Sequence, residues 1–313
     1  MNMLVSIIIP NYNHENFLDI RIQSILSQTY KNFEIIILDD CSTDNSRSII
    51  EKYRNNEHVT HIIYNEINSG STFIQWERGF KLSKGELIWI AESDDSCEPN
   101  FLSTLVSKFA NEKLALAFSR SMQIDQKGNS FGFFYTQEAL NKDLNIEGKE
   151  MIFHYLSGTN IVVNASSALI RKDILLRIEK DYMSFRGCGD WLFWILIVEK
   201  GDVSYVAKPL NLFRQHFNNT TSSLDKSGAN PIEVYKIYMY LSDKGYLKGW
   251  NRLWFRASRL PSYCWGKVSK DPAVKVKILN VWKFSTIDYL LAIIFIIYYA
   301  FDNCRRYCKS LLG

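Results

Sequence analysis

The densest chemistry in the sequence lies in Gly85–Pro99, GELIWIAESDDSCEP. The apolar run Leu87–Ala91 reads as a buried strand and stops abruptly at Glu92-Ser93-Asp94-Asp95. Open α/β sheets bind ligands at the carboxyl ends of their strands, so acids placed there face a ligand site. Three carboxylates within four residues repel one another, and a divalent metal carrying a phosphate oxygen is the simplest neutraliser. The same residues also fit a solvated acidic turn with a Ser/Asp helix cap, ahead of the helix that Pro99 opens. A second acidic pair, Asp39-Asp40, closes another buried run, Phe33–Leu38. In a parallel sheet the two strand ends share one edge. One pair near a base or ribose and the other near a metal-bound diphosphate is then a workable division, because hard carboxylate oxygens suit Mg²⁺ or Mn²⁺.

The elements that must position these acids follow from periodicity. Strands are predicted at Leu4–Pro10, Phe33–Leu38, Val59–Tyr64 and Leu87–Ala91. Helices are predicted over Asn16–Gln28 (Leu18, Ile22, Ile25 and Leu26 at helical spacing), from the cap residues Ser42, Thr43 and Asp44 through Arg54, and from Thr72 to Leu82, where Gly85 ends the last. Strict alternation of this kind calls for an α/β fold with a mostly parallel sheet flanked by helices. The first strand–helix junction, PNYNHEN, holds no glycine, and no GxxxxGK[ST] loop occurs, so any nucleotide must be held by side chains instead of a glycine cradle.

Past residue 100 the pattern loosens. A helix at Phe101–Phe109 and a strand at Leu114–Phe118 precede a hairpin turn at Asp125–Asn129. Further on come a helix at Glu147–Leu156, a strand at Ser166–Ile170, an apolar helix at Asp190–Glu199, and two strands, Val203–Val206 and Leu210–Gln215. Trp76, Trp89, Trp191 and Trp194 fall at core positions of these elements. The polar stretch Asn218–Asn230 reads as a linker or lid. The six cysteines form no CxxC pair and no regular framework, which fits reduced thiols in the cytoplasm. The N-terminal apolar run is of strand length and lacks a basic flank and a cleavage site, so it is not expected to be a signal peptide.

The net charge of +4 hides an asymmetry: from Lys248 onward 12 Lys/Arg face 3 Asp/Glu, whereas the first 247 residues carry 25 against 30. Within the basic part, Tyr289–Phe301 is uncharged for 13 residues. That is shorter than the roughly 20 needed to span a bilayer. The expectation is a helix at the inner face of the cytoplasmic membrane, attracted by anionic lipid, with a helix folded back on the protein as the alternative. No nucleic-acid recognition motif accompanies the charge.

The segments VSIIIPNYN, EIIILDDCSTDNS and NSGSTFIQWERGFKLSKGELIWIAESDD resemble the N-terminal half of family 2 glycosyltransferases, closely over residues 3 to about 110 and more loosely to about 222. The resemblance implies a GT-A fold, a nucleotide-diphospho-sugar donor and an inverting transfer to an acceptor hydroxyl. It places a catalytic domain at 1–225, with a nucleotide-sugar half to about 110 and an acceptor half after it, followed by a basic, aromatic helical region at 226–313. Pro10, Asn11 and Tyr12 match the loop bordering the nucleoside, and Asp39 and Asp40 the pair contacting base and ribose. Asn68 and Gly70 match the turn that leads to the helix under the donor. Glu92-Ser93-Asp94-Asp95 matches the metal motif, commonly DxDD; with Glu92 in the first place, metal ligation falls to Asp94 or Asp95, and Asp94 also borders the donor. Asp190, in Gly187-Cys188-Gly189-Asp190-Trp191, matches the general base, although residue type alone favours a helix cap stabilised by the macrodipole. Arg214 and His216 match a late RxH element, as a diphosphate contact or acid partner and as a further metal ligand or ordinary histidine. Asn160–Ser167 is expected to border the acceptor, a saccharide or lipid-linked molecule. His14, His58, His61 and His154 match no motif.

Two rivals stand beside this reading. A nucleotidyltransferase would need a glycine-rich, basic first loop, which PNYNHEN is not. A sugar-nucleotide-binding or membrane scaffold protein without turnover is compatible with Glu92 in the motif.

Overall fold

A computed structural model describes residues 2–134, 138–215, 224–265 and 271–298. The chain divides into two compact units: Met1–Ser184 with Asp190–Phe217, and Phe185–Gly189 with Asn218–Gly313.

The first unit is built on a ten-stranded sheet. Strands β1 (Val5–Asn11) and β2 (Phe33–Asp39) are buried at every position, as expected for β-branched runs covered on both faces. The sheet edge beside β2 is β3 (Val59–Tyr64), and β4 (Leu87–Ile90) lies on the other side of β1; β1 to β4 are mutually parallel. Because β1 sits between β2 and β4, the chain leaves β2 at Asp40 and β4 at Glu92 on one sheet edge.

Beyond β4 the sheet turns mixed. The short β5 (Ser96–Cys97), the long β6 (Leu114–Ile124), β7 (Ser130–Phe133), β8 (Leu144–Ile146), β9 (Ala168–Arg171) and β10 (Asp202–Arg214) complete it. Strand β9 runs antiparallel between β4 and β6, so its N-terminal end lies at the C-terminal end of β4. Two predicted strands around Lys208 are one strand, β10, parallel to β6 with register shifts on either side of Pro209, whose missing N–H interrupts the ladder without ending it.

Helix α1 (Glu15–Leu26) buries Leu18, Ile22 and Ile25, and with them Arg21, at 0 % exposure. After α2 (Ser46–Glu51), helix α3 (Thr72–Leu82) lies so close over β1 that a Cβ on Gly79 would overlap the Ile8 side chain. The helix ends in extended backbone at Ser83, so Gly85 has another task. A Cβ there would lie 2.6 Å from Leu4 O and 2.6 Å from Ser6 N. Helix α4 (Phe101–Lys108) covers β4 through Phe101, which stacks on Trp89 at 4.5 Å. The predicted helix at 147–156 is a short α5 (Gly148–Met151) continued by a π-turn over Ile152–Leu156. A single turn, α6 (Lys172–Leu175), and the apolar α7 (Gly189–Val198) follow. All four singled-out tryptophans are buried.

The second unit is helical, with α8 (Ala229–Asp243), α9 (Gly249–Leu260), α10 (Pro272–Trp282) and α11 (Thr286–Tyr298). Trp282 is its centre, fully buried, with its indole N–H donated to Pro231 O at 2.9 Å and the rings of Tyr235, Tyr263 and Phe284 around it. Glu233 on α8 accepts main-chain N–H bonds from Arg186 (2.6 Å), Gly187 (2.9 Å) and Cys188 (3.0 Å), which is why that short stretch belongs to this unit. Among the described residues no single helix is long and apolar enough to cross a membrane; α10 and α11 meet at a bend of 112°.

Candidate active site

At the end of β1, Asn11 is 2 % exposed and its side-chain amide donates to Asp39 Oδ1 (3.0 Å) and Ser42 Oγ (3.2 Å). Asp39 Oδ2 accepts from Ser42 N (3.0 Å) and Arg47 Nε (3.3 Å). Pro10 lies within β1, and Tyr12, just beyond it, is half exposed. Asp40 accepts on Oδ1 from Asn65 Nδ2 (2.6 Å), Ser69 N (2.9 Å) and Gln75 Nε2 (2.8 Å), and on Oδ2 from Ser69 Oγ (2.8 Å). Its main-chain oxygen takes the Asn68 amide at 2.9 Å, and Asn68 Oδ1 in turn accepts from Gly70 N at 2.7 Å. Gly70 adopts φ +68°, a turn that glycine makes without steric cost. The second acidic pair thus fixes the loops that follow β2 and β3, and α3 starts from the Asn68–Gly70 turn as expected.

The Glu92–Asp95 turn is held from every side. Glu92 N donates to Ser166 Oγ (3.0 Å), Glu92 O accepts from Arg21 Nε (2.9 Å), and Glu92 Oε1 accepts the Trp76 indole N–H (3.0 Å). Ser93 Oγ meets His14 Nδ1 at 2.7 Å, so a histidine without a motif abuts the acids. Asp95 is fully buried: Oδ1 accepts from Arg214 N (2.9 Å), Oδ2 from Asn164 Nδ2 (2.8 Å), and Arg21 NH2 lies 4.0 Å from Oδ2. Asp94 is the partly exposed member of the Asp94-Asp95 pair. Burial, then the charge of Asp94, pushes Glu92 up to about 8, and the same two causes raise Asp95 despite Arg21.

The structure seats Arg214 against the acidic turn. It is 4 % exposed, with Nε on Asp94 O (2.8 Å) and NH1 on Asp125 O (2.7 Å) and Gln126 O (3.2 Å), and its guanidinium lies 4.8 Å from the Phe17 ring centre. It braces the acidic turn against the β6–β7 turn. His216 lies outside the described residues.

Asp190 stands in the first turn of α7, with Oδ1 accepting from Trp191 N (2.8 Å) and Oδ2 from Asn160 Nδ2 (2.8 Å). One segment joins it to the acidic turn. Asn160 holds Asp190, Asn164 holds Asp95, and Ser166 holds Glu92 N while its carbonyl accepts the Trp89 indole N–H. A second link runs through aromatics: Phe193, one turn along α7, packs at 5.4 Å on Trp76, the donor to Glu92.

The sequence reading missed Arg21, Trp76, Asn160 and Asn164 as parts of this site. Arg21 had a signal, since it sits in the buried Leu18–Ile22–Ile25 stripe, where a charge needs a partner. The two asparagines had none beyond lying in an expected acceptor loop.

Among the described residues no group of three or more acids, histidines or cysteines is gathered closely enough to hold a metal alone. The acidic turn nevertheless fits an ion of the Mg²⁺ type, which takes one or two carboxylates and completes its shell with waters and substrate phosphates. Two buried guanidinium groups, Arg21 and Arg214, stand against the three carboxylates, and the partly exposed Asp94 offers the hard oxygen donor that suits such an ion.

The family model "Glycosyl transferase family 2" matches residues 6–178, more than half of the chain. A putative teichuronic acid biosynthesis glycosyltransferase, TuaG, of Bacillus subtilis is 24 % identical over 235 residues, covering 74 % of this chain and 87 % of the relative. S. aureus TarS, crystallised with UDP-GlcNAc, shares the fold at a TM-score of 0.67 with 19 % identity, over 90 % of this chain and 80 % of its own. The mannosyltransferase PcManGT of Pyrobaculum calidifontis, crystallised with GDP-Man and Mn²⁺, superposes with a TM-score of 0.57 at 11 % identity, over 99 % of this chain and 84 % of its own. With its mostly parallel sheet, flanking helices and acidic turn at the end of β4, the chain belongs to glycosyl transferase family 2 and has the GT-A fold.

Proposed function

We propose that the chain is an inverting, metal-dependent transferase that moves a hexosyl or related sugar from a nucleotide-diphospho-sugar to an acceptor hydroxyl in the synthesis of a bacterial surface polysaccharide. The observation that carries this reading is the Asn160–Ser166 segment, which ties the candidate base to the acidic turn through three side chains. The polysaccharide assignment draws on the likeness to TuaG, and the donor class on the fold shared with TarS and PcManGT.

Asp190 accepts the acceptor's proton as its oxygen attacks the anomeric carbon on the face opposite the leaving diphosphate. Asn160 and the Trp191 N–H hold the carboxylate for that task. A single displacement inverts the carbon and needs no protein nucleophile, so Cys97 and Cys188 take no part. Tyr12, with the loops fixed by Asn11, Asp39 and Asp40, borders the nucleoside. Asp94, with Asp95 and Glu92 beside it, would hold Mn²⁺ or Mg²⁺, which when bound would supply charge neutralisation for the departing diphosphate. A saccharide or lipid-linked acceptor approaches from the Asn160–Ser167 side.

Thermal-shift measurements with nucleoside diphosphates and their sugars, with and without Mn²⁺, test the donor site, and the anomeric configuration of the product by NMR tests inversion. A metal-dependent rise in Tm and an inverted product are expected. No stabilisation by any nucleoside diphosphate would refute the donor assignment. Binding without turnover would instead identify a sugar-nucleotide-binding protein, the reading favoured by Glu92 standing in the motif with its carboxylate tied to Trp76.

A further inference from the structure

We infer that the outer face of α11 docks on an anionic phospholipid surface, a property independent of glycosyl transfer. The helix carries two apolar stripes. Leu291 and Ala292 are buried, and Phe295 meets Trp254 edge-on at 5.3 Å. On the opposite side Leu290, Ile293, Ile294 and Ile297, at the spacing of one helical face, are 59 %, 51 %, 54 % and 51 % exposed, with Ile287 extending the stripe. A surface helix facing water carries its charged residues there. None occurs from Tyr289 to Tyr298.

The single acid of the helix points inward. Asp288 is 1 % exposed and accepts from Arg256 Nε (3.1 Å) and NH2 (3.0 Å) and from Ser285 N (2.7 Å). Arg256 also donates to the carbonyls of Trp282 and Lys283, so the clamp fixes how α11 leaves α10. The outer stripe is thereby left uncharged and rigidly presented.

Charge selects the occupant. Lys277 and Lys283 are exposed on and just after α10, and the region from Lys248 carries 12 basic residues against 3 acids. A region of that net charge repels a second copy of itself and attracts anionic lipid. Exposed Trp250 and Tyr298 are residue types favoured where lipid meets water. Among the described residues neither α10 nor α11 alone is long and apolar enough to cross a membrane, and although the pair together is, the 112° bend between them suits α11 lying in the interface plane. In the sequence the uncharged run continues to Phe301 and is followed by Arg305, Arg306 and Lys309.

The test is co-sedimentation of the full chain with vesicles of phosphatidylcholine alone and of phosphatidylcholine with about one-third phosphatidylglycerol. Sedimentation with the anionic vesicles, weakened by salt, is expected. The Ile293→Ser/Ile297→Ser double variant should lose about tenfold in partitioning, since it removes exposed apolar surface and no internal contact. Its Tm should match that of the parent. Absence of binding to either vesicle, binding undiminished in the double variant, or a solution dimer broken by those two substitutions would overturn the inference.

Discussion

Replacing Asp190 with Asn separates the two tasks its position allows. As an acid in the first turn of α7 it interacts favourably with the helix dipole, and the neutral amide loses that, about 0.5–1 kcal/mol. The Trp191 N–H bond survives on the remaining oxygen, while the bond from Asn160 is lost or must rearrange. A stability cost near 1 kcal/mol lowers Tm by roughly 2–4 °C in a unit of this size. If Asp190 takes the acceptor's proton, kcat falls by about 10²–10⁴. That corresponds to roughly 3–5 kcal/mol, several times the structural cost. Donor affinity should hold, since the nucleoside loops are fixed by Asn11, Asp39 and Asp40 and not by Asp190. The assay is nucleoside diphosphate release beside a thermal melt and a donor titration on one preparation. Turnover within about fivefold of the parent, with the small Tm loss present, would show that Asp190 only serves its helix, and the base assignment would fall.

Asn164→Ala removes the donor to buried Asp95 and the acceptor for Ser166 N (2.7 Å), so urea unfolding should show a loss of about 2–4 kcal/mol. Gly85→Ala drives a methyl into the main chain at Leu4 and Ser6, neither of which can step aside. It should cost upwards of about 3 kcal/mol or prevent soluble expression, whereas the neighbouring exposed Lys84→Ala stays within about 0.5 kcal/mol of the parent. Burial alone would raise Asp288, but the hydrogen bonds from Arg256 and Ser285 outweigh it and hold the carboxyl below its ordinary 3.8. A depressed folded value gives stability that is full above 3.8 and fades as pH falls through the lower value. The Tm gap between the parent and Asp288→Asn should therefore be constant at neutral pH and close in acid.

Much of the first unit was legible because its physics is local. Continuous β-branched runs broken by acids can form little except buried parallel strands, and Thr72–Leu82 announces itself by its spacing. The acidic pairs could be placed on one edge because parallel strands leave no other choice. What the sequence hid depends on contacts far apart in the chain. Arg214 looks like a free cation beside a motif, yet its partners are carbonyls about 90 and 120 residues away, which no spacing records. The Asn160–Asp190 and Asn164–Asp95 bonds span 30 and 69 residues and are carried by a loop with no periodicity. The stretch Phe185–Gly189 shows the same limit: it keeps company with the helical unit through Glu233, which holds its main-chain N–H groups, and Lys236, which lies over the Phe185 ring.

The crowding at the end of β4 accounts for its odd residue. A guanidinium 4.0 Å from a carboxylate, as in Arg21 and Asp95, attracts it by about 4 kcal/mol at the effective dielectric of such sites. That helps to hold Asp95 in its fully buried place, and the Arg214 guanidinium is drawn to Asp95 and Asp94 in turn. Glu92, up at about 8, is largely protonated at neutral pH and so contributes little of the repulsion. Its longer side chain reaches the Trp76 indole N–H, through which the turn is coupled to α3 and, by way of Phe193, to the helix bearing Asp190. An aspartate at 92 would be one methylene short of that contact. Of the Asp94-Asp95 pair, Asp94 is the partly exposed acid and the one a ligand-borne cation can reach.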